Sequence, residues 1–216
     1  MTAALLLALT LTACTEPGTS AHGAQNGTAT PSGTPAPLAT FRSRHSDVVG
    51  IPTKGCRPDR PIPTHSTYQG MDLYSGGEQL QRVLQSIQEA GEGRFRAFHA
   101  GAEVAEDRGE GAVFRVPDAG YDAFIIATAG DVCLFLAEAR FNHVTLDAFA
   151  RRILADDDHW KAQGVDLTGV SGSNRGDGVT VYVTPADAAD ARIELPKRYG
   201  TQIPIRIEER EAFTAA

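Results

Sequence analysis

The most regular apolar spacing in the chain is Leu80, Val83, Leu84 and Ile87, at i, i+3, i+4 and i+7, which places four aliphatic side chains on one face of a helix. Ser75-Gly76-Gly77-Glu78 ahead of it has the S-x-x-E spacing of a capping box, and Gly91 is expected to end the run. Thr145 is expected to cap a second helix. Val144 before that cap and Phe149 at the fourth helical position would form a hydrophobic staple, with Leu146, Phe149, Ile153 and Trp160 as the buried stripe. A third helix is expected from Thr184-Pro185-Ala186-Asp187, a capping threonine with proline at the first helical position and an acid beyond it. Pro196 lacks an N–H, so this helix is expected to stop or kink near Glu194.

Between the helices the pattern changes to short runs rich in Phe, Val and Ile, separated by Gly, Asp and Pro. Residues 94–100, 112–116, 123–127 and 132–137 each read as strands. Residues 165–170 and 179–183 flank Gly-Ser-Asn-Arg-Gly-Asp-Gly and read as a hairpin, and Ile203, Ile205 and Ile207 alternate in a last strand over 202–207. The strand, helix, strand order from Val179 to Ile207 predicts a right-handed crossover with those two strands parallel, adjacent or with another strand between them. The expected fold class is α+β, a two-layer arrangement of a mixed β-sheet with about three helices packed on one face.

Composition narrows the function classes. The 27 acidic residues outnumber 20 basic ones, and the basic residues are scattered without a patch, which argues against nucleic-acid binding. The apolar run from Ala3 to Leu11 is too short for a membrane span. A second apolar stretch, Ala123 to Ala137, is broken by Gly130-Asp131 and reads as two short strands joined by a turn. The segment from Thr15 to Thr40 is rich in Thr, Ser, Gly, Pro and Ala, with Leu38 its one strongly apolar residue, and cannot bury enough surface to offset ordering.

Leu11-Thr12-Ala13-Cys14, closing the run from Ala3, resembles the signal of bacterial lipoproteins, in which a small-residue box precedes a cysteine that becomes the first mature residue. The preponderance of arginine over lysine, with abundant Ala and Gly, resembles proteins of high-GC bacteria such as actinobacteria. The lipoprotein resemblance implies that Cys14 carries the lipid, multiply acylated because one chain binds a membrane only marginally. It also implies a domain held outside the cytoplasmic membrane. The expected organisation is a signal peptide over 1–13, the lipidated cysteine and a disordered tether over 14–40, and one globular domain over 41–212. With Cys14 acylated, Cys56 and Cys133 remain as an even pair in an oxidising compartment, and a disulfide between them is expected to staple the proline-rich segment 51–63 to the core.

Candidate chemistry is sparse. Arg175-Gly176-Asp177 has the letters of an adhesion motif, but Asn-Arg-Gly-Asp-Gly is also what a tight hairpin turn requires. Ser171 to Asn174 looks like a fragment of a penicillin-recognising motif, yet the chain has no Ser-x-x-Lys nucleophile. Asp156-Asp157-Asp158-His159 opposes the macrodipole at a helix C-terminus. Its sharper reading is a divalent-cation site through Asp156, Asp157 and His159, with His143 as a further transition-metal ligand; its plainer one is a solvated, frayed helix end near Lys161. His45, His65 and His99 read as isolated, and no H-E-x-x-H, G-x-S-x-G, phosphate-loop or dinucleotide-binding fingerprint is present. The expected function is a membrane-anchored, extracytoplasmic lipoprotein with a non-catalytic domain that binds a partner protein, cell-wall component or small ligand and needs no cofactor. The alternative is an extracytoplasmic hydrolase built from scattered Asp, Glu and His residues. A cleft bringing two or more of these within hydrogen-bond reach would favour it.

Overall fold

The computed structural model describes residues 37–43, 47–75 and 77–211. The expected signal, Cys14, the tether as far as residue 36, and His45 lie outside the described residues. Of the expected tether, Leu38 is exposed, but Ala39 already opens the first strand.

The fold is α+β. Strands β1 (Ala39–Arg42), β2 (Asp47–Pro52), β5 (His99–Ala105), β6 (Glu110–Arg115) and β7 (Leu134–Glu138) form a five-stranded mixed sheet in the order β1-β2-β7-β6-β5. Strands β8 (Leu167–Gly172), β9 (Val179–Val183) and β10 (Ile205–Glu209) form a second sheet, order β10-β9-β8, and β3 (His65–Tyr68) with β4 (Met71–Tyr74) makes a separate hairpin. Helices α1 (Glu78–Glu92), α2 (Ala119–Ala129), α3 (His143–Ala155), α4 (Asp157–Ala162) and α5 (Ala188–Tyr199) complete the described elements. Those of the expected strands that form are thus divided between two sheets.

A repeat organises the fold. The segment α1-β5-β6-α2-β7 and the segment α3-β8-β9-α5-β10 have the same plan: a helix, an antiparallel strand pair, a crossover helix, and a last strand parallel to the second. Strand order is the same in both, last-second-first. The crossover helices bury residues at the same i, i+4, i+8 spacing, Tyr121, Ile125 and Ala129 in α2 and Ala191, Leu195 and Tyr199 in α5, where Ala188 is buried as well. The parallel pairing of β9 with β10 and the hairpin of β8 with β9 agree with the sequence reading.

Several local expectations are corrected. Residues 123–127 are helical, because the Asp118 carboxylate accepts the Tyr121 N–H at 2.8 Å and caps α2. Residues 94–98 turn back on α1, with Phe95 N–H donating to Ala90 O, and the strand starts at His99. Helix α1 is capped by the backbone of Gly77, without a capping box, while the Ser75 hydroxyl donates to Thr64 O. Helix α3 is capped by Asn142, whose Oδ1 accepts Thr145 N–H at 2.8 Å while its Nδ2 donates to Ala97 O. Asn142 therefore starts the helix earlier than Thr145 would and ties it to the first repeat, leaving Val144 exposed. The stripe to Trp160 is broken at Asp156, and Trp160 belongs to α4. Helix α5 begins after Asp187, which receives the Thr184 hydroxyl at 2.8 Å, and it runs through Pro196 to Tyr199. Burial of Leu195 and Tyr199 on one face holds that last turn despite the hydrogen bond proline cannot make.

Both faces of the large sheet are covered. Val113, Leu134 and Leu136 point towards Leu80, Leu84, Ile87, Tyr121 and Ile125 of α1 and α2. Ala112, Phe114, Phe135 and Ala137 alternate onto the other face, where β1 curls back and the Phe41 ring lies 5.7 Å from that of Phe135. The second sheet packs Val179, Val181 and Val183 against Leu146, Ile153, Trp160 and Leu195.

The Cys56–Cys133 disulfide is present. It acts with Thr53, whose hydroxyl donates to Val132 O at 2.9 Å and accepts Leu134 N–H at 3.0 Å, to hold the segment after β2 against the start of β7.

Candidate functional site

The residues read as a cation site are engaged with other partners. Asp156 Oδ2 accepts Arg198 Nε at 2.9 Å and the Tyr199 hydroxyl at 2.8 Å, and those hydrogen bonds hold its carboxyl below the usual range. Asp157 pairs with Lys161 Nζ at 2.6 Å, one turn along α4. The His159 ring stands edge-on to Trp160 at 5.1 Å. Among the described residues no group of three or more His, Cys, Asp or Glu comes together as a metal site. Asp156, between α3 and α4, is offset by Arg198 of α5, whereas Asp157 and Asp158 lie in the first turn of α4, where the helix dipole favours a negative charge rather than opposing it.

His143 lies in the other direction, against His99. Their rings are 5.6 Å apart, and His143 Nδ1 is 3.0 Å from His99 O. His99 Nδ1 is 2.8 Å from the Tyr121 hydroxyl, and the imidazole is only 5% exposed. Burial, then the neighbouring His143, lowers the His99 pKa to about 4, against an opposing effect of Glu92. Burial, then the Asp122 charge, raises that of Tyr121. Beside them Arg115, 2% exposed, donates Nε and Nη2 to Asp122 at 2.8 and 3.0 Å, while its Nη1 is buried without a hydrogen-bond partner among the described residues. His99, Tyr121 and His143 come from β5, α2 and α3, so only the fold brings them together.

The tempting turn is also internal. Arg175 grips Glu103 through Nε at 2.5 Å and Nη2 at 2.8 Å, and Asp177 pairs with Arg206 at 2.9 Å. Gly176, at φ +68°, gives its carbonyl to Phe141 N–H and packs on Ala139 and Ala100. Arg175 and Gly176 join the second repeat to the first, while Asp177 ties the turn to Arg206 of β10 within its own repeat. Glu110, 4% exposed, accepts both Arg60 and Arg108, so its charge is balanced by two guanidiniums.

The hairpin of β3 and β4 faces solvent and carries three of the exposed large apolar side chains. Gln69 at φ 51° and Gly70 at φ 78° form its two-residue turn, with both central residues left-handed as the twist of a tight hairpin requires. Tyr68 pairs with Met71 and Ser66 with Leu73, so Ser66, Tyr68, Met71 and Leu73 share one face. Tyr68, Met71 and Leu73 are 60%, 59% and 50% exposed. Leu73 borders a cavity of about 550 Å³ between the hairpin and α1, floored by Leu80 and Val104. Asp72, Glu78 and Glu106 against the single guanidinium of Arg82 give its rim an acidic balance. No third strand supports this hairpin among the described residues, and a two-stranded hairpin is marginal alone.

Comparison of the chain with protein-family models, curated proteins and solved structures finds no match.

Proposed function

We propose that this chain is a lipid-anchored protein of the outer face of the cytoplasmic membrane, and that its domain binds a partner protein through the β3–β4 hairpin and the cavity beneath it. The observation that supports the binding reading is the apolar face of Tyr68, Met71 and Leu73, exposed side by side. A face of this kind bordering a concave site floored by Leu80 and Val104 is what a protein interface requires at its centre. The acidic rim favours a partner segment whose apolar residues are flanked by basic ones. Support for the anchor is the box ending at Cys14 and the Thr/Ser/Pro-rich composition of the stretch after it. The inward pairing of Arg175 with Glu103, and of Glu110 with Arg60 and Arg108, leaves the hairpin as the better candidate for recognition.

A photo-reactive phenylalanine analogue at position 68 of the membrane-bound chain tests this reading. A protein adduct of one discrete mass is expected, weakened by added salt and lost when Leu73→Asp is introduced. Absence of any protein adduct, or an adduct indifferent to Leu73→Asp, would contradict it.

A further inference from the structure

The repeat points to a second interaction element, at the outer edge of the three-stranded sheet. In the first repeat the outer edge of β7 is occupied by β2, antiparallel, with Gly50 opposite Ala137 and Ile51 opposite Leu136. The equivalent edge in the second repeat is that of β10, and no strand pairs with it among the described residues. The orientation of its backbone follows from its bonds to β9. Val179 N–H donates to Pro204 O at 3.0 Å and Arg210 N–H donates to Val183 O at 2.8 Å. With the period of two of a strand, residues 204, 206, 208 and 210 turn their peptide groups towards β9, and Ile205, Ile207 and Glu209 turn theirs outward.

We infer that this edge pairs with the same edge of a second copy, extending the three-stranded sheet across a two-fold axis at Ile207. The sequence Ile205-Arg206-Ile207-Glu208-Glu209 is self-complementary in that register. Ile207 meets Ile207 of the second copy, and Ile205 meets Glu209, as hydrogen-bonded pairs built from the outward peptide groups. Arg206 then meets Glu208 twice, once on each side of the axis. These are the non-hydrogen-bonded positions, where opposed side chains approach most closely and opposite charges stabilise. Arg206 and Glu208 are both exposed, on the face away from the core, while Ile205 and Ile207 are half-buried against it. Arg206 has Asp177 as its partner within the monomer, an exposed pair that costs little to exchange. Glu209 keeps Arg192. Moving the axis by one residue to either side loses this match: one direction sets Arg206 against Arg206, the other Glu208 against Glu208. Five residues make a small interface, so a reversible dimer with a dissociation constant of about 1–100 μM is expected.

The test is sedimentation of the full chain carrying Cys14→Ala, which removes the unpaired thiol and any acyl group, across concentrations spanning that range. Reversible dimerisation is expected. Arg206→Glu and Glu208→Arg should each weaken it by about tenfold or more, because each turns two attractive pairs into two repulsive ones. An equimolar mixture of the two variants should recover association as a heterodimer, since the carboxylate introduced at position 206 of one copy then faces the guanidinium introduced at position 208 of the other. Circular dichroism and the thermal midpoint confirm that both variants are folded. A monomeric parent chain, single variants that associate as well as the parent, or a mixture that fails to recover would each overturn the inference.

Discussion

Gly91 of α1 lies against the imidazole of His99: a Cβ placed on residue 91 would be 2.5 Å from His99 Cγ and 2.8 Å from Cδ2. Position 91 therefore belongs to the helix interior as packing space, and α1 continues to Glu92 before Gly93.

Gly91→Ala is expected to destabilise the protein by about 1–3 kcal/mol, the range for overpacking a filled core, even though alanine favours a helix over glycine by about 1 kcal/mol. The ring has little freedom to retreat, because its Nδ1 is hydrogen-bonded to Tyr121. Urea unfolding checks this; a stabilised variant would show that the imidazole can move.

His99 also makes stability depend on pH. Its folded pKa of about 4 lies below the ordinary histidine value of 6.5, so between these values the unfolded chain binds the proton that the folded chain refuses. Stability from this group is fully present above about pH 6.5 and is lost progressively as pH falls to about 4, to a total of about 3 kcal/mol. Unfolding curves at a series of pH values should show this decline, and Gly91→Ala should leave its direction unchanged.

Much of this was legible from spacing and some of it was not. The stripe of Leu80, Leu84 and Ile87, the strand Val179–Val183 and its parallel partner β10 follow local patterns that tertiary contacts reinforce. Helix α2 did not show itself because Ala123–Ala127 is apolar nearly all round, and a short run of that kind has no period to distinguish helix from strand. Its signal is Asp118 after Pro117, a helix cap at residues that otherwise serve only to separate strand runs. The β3–β4 hairpin is mostly polar, and Gln69-Gly70 is a weaker turn signal than Asn-Gly, so neither its strands nor its exposed face stood out. The repeat is carried by topology and by burial positions, with too few shared letters to see in the chain. Pairing of His99 with Tyr121 and His143, from separate elements, required the fold itself.

The turn at Gly176 tests the internal reading of Arg175-Gly176-Asp177. A side chain there meets Phe141 O, Ala139 and Ala100, at a left-handed φ of +68°. Gly176→Ala is expected to cost about 2 kcal/mol or more in thermal or urea unfolding. Unchanged stability would release the turn for an external role.

Asp122→Ala leaves the Arg115 guanidinium, 2% exposed, without its bidentate partner. Breaking one side of such a pair is expected to cost about 3–5 kcal/mol. The double variant Arg115→Met with Asp122→Leu should recover most of that loss, which a thermal melt of all three chains would show.

Serine at both Cys56 and Cys133 should lower stability by about 4 kcal/mol, the chain-entropy value for a loop of this length. Thr53 and its hydrogen bonds to Val132 and Leu134 remain in that variant, so native-like circular dichroism is expected at low temperature. Intact mass before and after reduction should differ by two hydrogens for the chain that keeps both cysteines.

Acylation of Cys14 would make the hairpin a binding element of the membrane surface, and the mass of the mature N-terminal peptide from the membrane fraction tests that most directly. The expected result is a chain beginning at Cys14 and carrying diacylglycerol on its sulfur, with Cys14→Ala released from membranes. A chain that retains residues 1–13 with an unmodified Cys14, or a Cys14→Ala variant that stays membrane-bound, would contradict it.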